Sequence, residues 1–227
     1  MLNPSQPKYS LILERVKEKA RESGRKADEI TLIAVTKYQN VESIKQVYQD
    51  GGRNFGESRL QEGLKKISCV PDNSKWHFIG TLQSNKIAKV LTHFDLIHSV
   101  DSFELAKKIS EMSEGRANCP AILLQVNTSL EASKHGLTAE GWEVYLDGMN
   151  EFKGVRIEGL MTMAPLTTDQ DVIRKCFRNL YRLREKWSSK MSQPQIFKHL
   201  SMGMSNDYLI AIEEGATLLR IGTAIFS

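Results

Sequence analysis

Residues 29–51 read EITLIAVTKYQNVESIKQVYQDG, and the join inside this stretch decides the fold. Its first half is a run of aliphatic and β-branched residues ending at Lys37, the pattern of a buried strand. Its second half predicts a helix, with Asn40 in N-cap position and Gly51 beyond its end. Together they make one βα unit, and the alternation continues to the C-terminus. RNFGE (53–57), WHFIG (76–80), LIHSV (96–100), PAILLQVN (120–127), RIEGLM (156–161), IFKHLS (196–201) and TLLRIG (217–222) are short apolar segments spaced by helical stretches. With the first strand they make eight, which favours a closed (β/α)8 TIM-type barrel over an open doubly wound sheet. Upstream, YSLILERVKEKARESG (9–24) carries apolar Leu11, Leu13, Val16 and Ala20 and predicts an amphipathic helix stopped by Gly24. The last strand has no helix after it, and this extra N-terminal helix is expected to cover that gap. No linker or internal repeat divides residues 1–227, so a single domain is expected.

Composition narrows the function. The chain has 227 residues, is 41% hydrophobic and 26% charged, and carries a formal net charge of +4. Basic and acidic residues alternate instead of forming blocks, which argues against nucleic acid as a partner. The basic stretch VIRKCFRNLYRLREKW (172–187) has apolar residues at helical spacing, from Val172 and Ile173 to Leu183, and reads as an outer barrel helix with a solvated face. No apolar run approaches a membrane span and the N-terminus lacks a signal-peptide core, so a cytoplasmic protein without membrane contact is expected. Cys69, Cys119 and Cys176 are scattered, and neither they nor the five histidines show metal-ligand spacing. Reduced thiols and no metal are the expectation.

In such barrels the active site lies at the C-terminal ends of the strands. Those ends are expected to present Lys37, Asn54 and Glu57, Gly80, Asn127, Met161 to Met163, Ser201, and Arg220 with Gly222 and Thr223. A lysine desolvated there has its charged form disfavoured, and a neutral amine attacks aldehydes to form a Schiff base. The plainer alternative is a strand-end lysine that reaches solvent. LSMGMSNDY (200–208) and RIGTAIF (220–226) place small residues and hydroxyls after the last two strands, where barrels recurrently bind phosphate. Ser205 has the alternative of a helix N-cap. A phosphate-bearing carbonyl compound, pyridoxal 5'-phosphate, satisfies both features. Arg220 near its ring is a permanent donor, suited to an unprotonated pyridine nitrogen and so to a weakened electron sink; a salt bridge across the mouth is the alternative.

The segments AVTK, NFGES, WHFIGTLQSNK, NTSLEASKHG, GLMTMAP and LSMGMSNDYLIAIEEGATLLRIGTAIF resemble the YggS/PROSC family of pyridoxal phosphate homeostasis proteins, from about residue 10 to the end. The resemblance implies a barrel like the N-terminal domain of alanine racemase, with the cofactor held as an internal aldimine. It assigns the Schiff base to Lys37, the phosphate to Ser201, Gly222 and Thr223, the pyridine nitrogen to Arg220, and a ring-side position to Asn54. Lys86 and Lys134 are candidates for a second cofactor contact. Ser58 and Thr81 depart from the family pattern.

Racemases of the related fold draw a second acid/base from a separate C-terminal domain, and this chain stops at Ser227. Tyr38 alternates to the other side of an extended strand, where it packs or faces solvent. The resemblance therefore implies a monomeric protein of vitamin B6 homeostasis without evident catalysis, whose partners are the cofactor and cofactor-dependent apo-enzymes. The competing expectation is a small racemase or lyase acting on amino acids.

Overall fold

The structure, a computed structural model, describes residues 7–129, 131, 135–192 and 197–227. Among them eight parallel strands close a barrel in sequence order: β1 (Thr31–Val35), β2 (Asn54–Glu57), β3 (Lys75–Phe78), β4 (Leu96–Val100), β5 (Ala121–Gln125), β6 (Arg156–Met161), β7 (His199–Ser201) and β8 (Leu218–Ile221). The seam is β1 on β8, with Ala34 opposite Ile221. The expected barrel is borne out.

Strand side chains alternate between two apolar layers, as a closed barrel requires. Leu32, Ala34, Phe55, Phe78, Ile97, Ile122, Leu124, Leu219 and Ile221 point outward into the main core, against the helices. Ile33, Leu96, Ala121, Leu123, Met161 and Leu218 point inward as a small second cluster. Polar side chains fill the rest of the interior, His77, His98, Ser201 and Arg220 all being buried. Gly159 makes the irregularity between β5 and β6 possible: its φ is +150°, and a Cβ there would lie 2.0 Å from the His199 carbonyl oxygen.

The helices are α1 (Tyr9–Glu22), α2 (Val41–Gln49), α3 (Leu60–Ile67), α4 (Ile87–His93), α5 (Phe103–Ser113), α6 (Ala139–Glu143), α7 (Leu146–Met149), α8 (Gln170–Ser188), α9 (Tyr208–Glu213) and α10 (Thr223–Phe226). Asn40 caps α2 as expected, accepting from the Ser43 N–H at 2.8 Å. Helix α1 buries Tyr9, Ile12, Val16 and Ala20, whereas Leu11 is exposed. Val16 and Ala20 lie on the expected face and Leu13 packs partly buried beside it, but Leu11 gives way to Tyr9 and Ile12, which continue the row of Val16 and Ala20 at three- and four-residue spacing. The end of β8 is not bare: the single turn α10 follows it, and α1 packs over α10 and α9, anchored by the Lys8 N–H on the Ile225 carbonyl at 2.6 Å. Helix α8 buries Ile173, Cys176, Phe177, Leu180 and Trp187 and leaves Val172 exposed. Among the described residues no helix is long and apolar enough to cross a membrane.

Candidate functional site

A cleft of ≈ 560 Å³ opens where β8, β7, β6 and β1 end, within the range of small-ligand sites. Lys37, Arg220, Gly222, Thr223, Ser205 and Asp207 are among its polar lining, and Val35, Ile79 and Met163 among its apolar wall. The sequence-predicted Lys37, Arg220, Gly222 and Thr223 therefore come together.

Lys37 is not part of the strand. Strand β1 stops at Val35, and Lys37 sits exposed in the turn that follows, with Tyr38 at φ +65°. The expectation of a lysine desolvated among apolar neighbours gives way to a rim lysine, its Nζ 4.8 Å from the centre of the Tyr38 ring. Tyr38 faces solvent, as expected. The turn is fixed from beneath. The Thr36 carbonyl accepts from the Gln39 N–H at 2.9 Å and from Lys66 Nζ at 2.7 Å. Lys66 is ion-paired with Glu57 at 2.6 Å, and both side chains are almost wholly buried. The Glu57 carboxylate also accepts from the Thr36 hydroxyl at 3.0 Å and from the Ser58 N–H at 2.7 Å. With the Arg59 N–H donating at 3.2 Å as well, four acceptor positions of a buried anion are used, which is what makes its burial tolerable.

The opposite wall is made of small residues. Gly203 has φ +94° and lies so close to α9 that a Cβ would stand 2.6 Å from Ala211 Cβ. Its carbonyl accepts from the Arg220 N–H, tying the loop to β8. Asp207 closes this loop by accepting from the Met204 N–H at 2.5 Å, and burial pushes its carboxyl above the usual range against the pull of that bond and of Arg220. Ser205 reaches across to α10 and accepts from the Ala224 N–H at 3.1 Å. The first N–H groups of a helix have no intrahelical partner. The hydroxyls of Ser205 and Thr223 and the backbone at Gly222 thus form a cradle of the kind that receives an anion.

Arg220 forms the floor. It is buried and, among the described residues, in no ion pair; its Nη2 donates to the Thr162 carbonyl at 3.0 Å and its Nη1 to Ser201 Oγ. The salt bridge considered from the sequence is therefore absent among those residues. Burial lowers its pKa to about 10, partly offset by Asp207, so it stays cationic at neutral pH.

Two expected residues are not in the cleft. Ser201 is wholly buried beneath Arg220, its hydroxyl held between Arg220 Nη1 and His98 Nδ1, the latter at 2.7 Å. It faces inward at the end of a strand of three residues and does not line the cleft. Asn54 is the first residue of β2, at the end of the barrel away from the mouth, with its side-chain oxygen 3.1 Å from His77 Nε2. Of the other candidates, Lys86 ends a short turn before α4 and does not line the cleft, and Lys134 lies outside the described residues. Ser205, one of the two hydroxyls of LSMGMSNDY with a helix N-cap as its alternative, does line the cleft, and no local sequence motif singles out Asp207, His77, His98 or Lys66.

Comparison with known proteins follows the same outline. Residues 12–227 match the family model of the alanine racemase N-terminal domain. The chain is 36% identical over 220 residues to the pyridoxal phosphate homeostasis protein of Aquifex aeolicus, covering 96% of each. PipY of Synechococcus elongatus, solved with PLP bound, superposes with a TM-score of 0.80 at 33% identity, over 93% of this chain and 100% of that one. Alanine racemase from Corynebacterium glutamicum shares the fold, with a TM-score of 0.70 at 14% identity over 96% of this chain and 61% of that one.

Proposed function

Because the chain belongs to the family of pyridoxal phosphate homeostasis proteins, we propose that it binds pyridoxal 5'-phosphate in the Lys37 cleft and serves intracellular vitamin B6 balance, without catalysing a reaction of its own. The observation that carries the reading is the meeting, in one cleft, of the Lys37 amine with an anion cradle at Ser205, Gly222 and Thr223 and a buried cation at Arg220. The cofactor supplies an aldehyde that condenses reversibly with an amine, and an electron-withdrawing ring.

The residues present fit that group. Lys37 has a solvent-accessible amine with no hydrogen bond among the described residues, free to form the Schiff base. Ser205, Gly222 and Thr223 hold the phosphate, Ser205 taking the place first given to Ser201. Arg220 would meet the pyridine nitrogen and, as a cation with donors alone, would leave it unprotonated. Asn54 acts at a distance and not at the ring.

Among the described residues lining the cleft, the ionisable side chains are Lys37, Asp207 and Arg220. Asp207 is committed to its loop and Arg220 to the floor, which leaves Lys37 to move a proton and favours storage over racemisation. A reversible Schiff base lowers the free aldehyde yet releases it by exchange to apo-enzymes. The test has two arms. Incubation of the loaded protein with L-amino acids in D2O should give no Cα–H exchange, and steady exchange would establish the racemase or lyase alternative. An apo-aminotransferase should regain activity faster from the loaded protein than from an equal load of free cofactor, and equal rates would defeat the delivery role.

A further inference from the structure

Five side chains cross the barrel interior as one hydrogen-bonded series. Arg220 Nη1 donates to Ser201 Oγ, which lies 2.7 Å from His98 Nδ1. His98 Nε2 is 3.0 Å from His77 Nδ1, and His77 Nε2 is 3.1 Å from Asn54 Oδ1. The members come from β8, β7, β4, β3 and β2, so the series runs from the floor of the cleft to the opposite end of the barrel.

Proton placement follows from chemistry. A guanidinium donates and cannot accept, so Ser201 accepts from Arg220 and turns its own hydrogen to His98 Nδ1. His98 then carries its proton on Nε2 and gives it to His77 Nδ1, and His77 carries its own on Nε2, toward Asn54. The reverse order would put two donors on Ser201 Oγ and leave the hydrogen of a wholly buried hydroxyl without an acceptor in the series. It would also turn the dipoles against the arginine's charge. A proton added to His77 would set two N–H groups face to face. Burial pushes the pKa of both imidazoles down, that of His77 to about 4, in accord with neutral rings.

We propose that His98 and His77 are positioning residues for Arg220: neutral and protonated on Nε2, they hold the buried guanidinium through a one-way series of aligned dipoles that ends at Asn54. Each link polarises the next, which is how a cation with no ion-pair partner among the described residues is stabilised in a low-dielectric interior. With Nη1 held on Ser201 and Nη2 on the Thr162 carbonyl, the guanidinium plane is fixed and the remaining donors are left for the cleft. The part concerning the cofactor rests on the proposed reading of Arg220; the series itself does not.

The test therefore separates the two. In the full chain without cofactor, labelled with 15N-histidine, long-range 1H–15N spectra should show His77 and His98 as neutral Nε2–H tautomers from pH 5.5 to 8, their signals identified with His77→Gln and His98→Gln. An Nδ1–H tautomer in either ring, or titration near the ordinary histidine value, overturns the series whether or not cofactor binds. In the loaded protein, His98→Leu should shift the pH at which the bound cofactor's visible band titrates and speed cofactor loss about tenfold, by orphaning the Ser201 hydroxyl. His98→Gln offers one donor and one acceptor and should restore both. Should His98→Leu fail to fold, Ser201→Ala cuts the series one link nearer the arginine. An unchanged band and unchanged retention in the cut variant overturn the positioning role. Failure of the unaltered chain to take up cofactor defeats the reading of the cleft and leaves the tautomer result to stand or fall alone.

Discussion

Lys66 Nζ donates at 2.7 Å to the carbonyl of Thr36, the residue before Lys37. A buried ion pair on α3 and β2 thus holds the backbone of the turn that carries Lys37, the proposed Schiff-base residue, while the Lys37 side chain stays exposed. A held backbone beneath an exposed side chain suits the proposed role of Lys37, reversible condensation with an aldehyde.

Removing one partner of that pair leaves the other charged and buried. Lys66→Met should cost about 3–5 kcal/mol in urea unfolding. The double variant Lys66→Met with Glu57→Gln, which removes the orphaned charge, should recover part of the loss. A single variant within about 1 kcal/mol of the unaltered chain would show that the pair does not hold the turn.

The cradle gives a ligand-resolved prediction. Ser205→Ala should weaken binding of pyridoxal 5'-phosphate about tenfold, the scale of one hydrogen bond to a charged group. Binding of pyridoxal, which lacks the phosphate, should be unchanged. Ser201→Ala acts through Arg220 and should weaken both ligands alike. Titration with each ligand by absorbance reads the difference.

Gly203 stands at φ +94° with Ala211 Cβ 2.6 Å from where its own Cβ would be. Gly203→Ala therefore combines a left-handed backbone with a clash against α9 and should cost at least about 2 kcal/mol. Thermal unfolding measures it.

How much of this was legible in the sequence depended on which spacing carried the information. Alternating βα units made the barrel readable, and Lys37 and the Gly222–Thr223 turn follow from being just past strand ends. The errors arose within strands. RNFGE reads as one segment, and nothing in it says that Asn54 opens β2 while Glu57 closes it, so the expectation of Asn54 at the mouth fails. Ser201 does end its strand, but an inward side chain on β7 points beneath the mouth. The histidines of WHFIG and LIHSV have no metal-ligand spacing to mark them. An imidazole in the middle of each of two adjacent apolar strands was the available signal, since inward positions of neighbouring strands meet inside a closed barrel. The Lys66–Glu57 pair was hidden for a different reason: its energy comes from tertiary burial, which no local pattern encodes.

The buried imidazoles fix a pH dependence. Burial is the main cause that lowers His77 from 6.5 to about 4, with His199 and Lys75 adding to it and Asp95 opposing. Between those values the unfolded chain binds a proton that the folded chain does not, so stability is whole above about pH 6.5 and falls as pH drops toward 4. At ~1.4 kcal/mol per pH unit, the loss from this one group is about 3 kcal/mol. Unfolding free energies measured in urea at pH 7.5 and pH 5 should differ by about 2 kcal/mol from this group, the part of the loss reached by pH 5, and His77→Gln should reduce the difference.

The most direct measurement is borohydride reduction of the protein loaded with pyridoxal 5'-phosphate, followed by peptide mass mapping. The account predicts a visible band near ~420 nm that is lost on reduction, a pyridoxyl adduct on Lys37, and no band in Lys37→Ala. An adduct on another lysine, or a protein that stays colourless with excess cofactor, would contradict it.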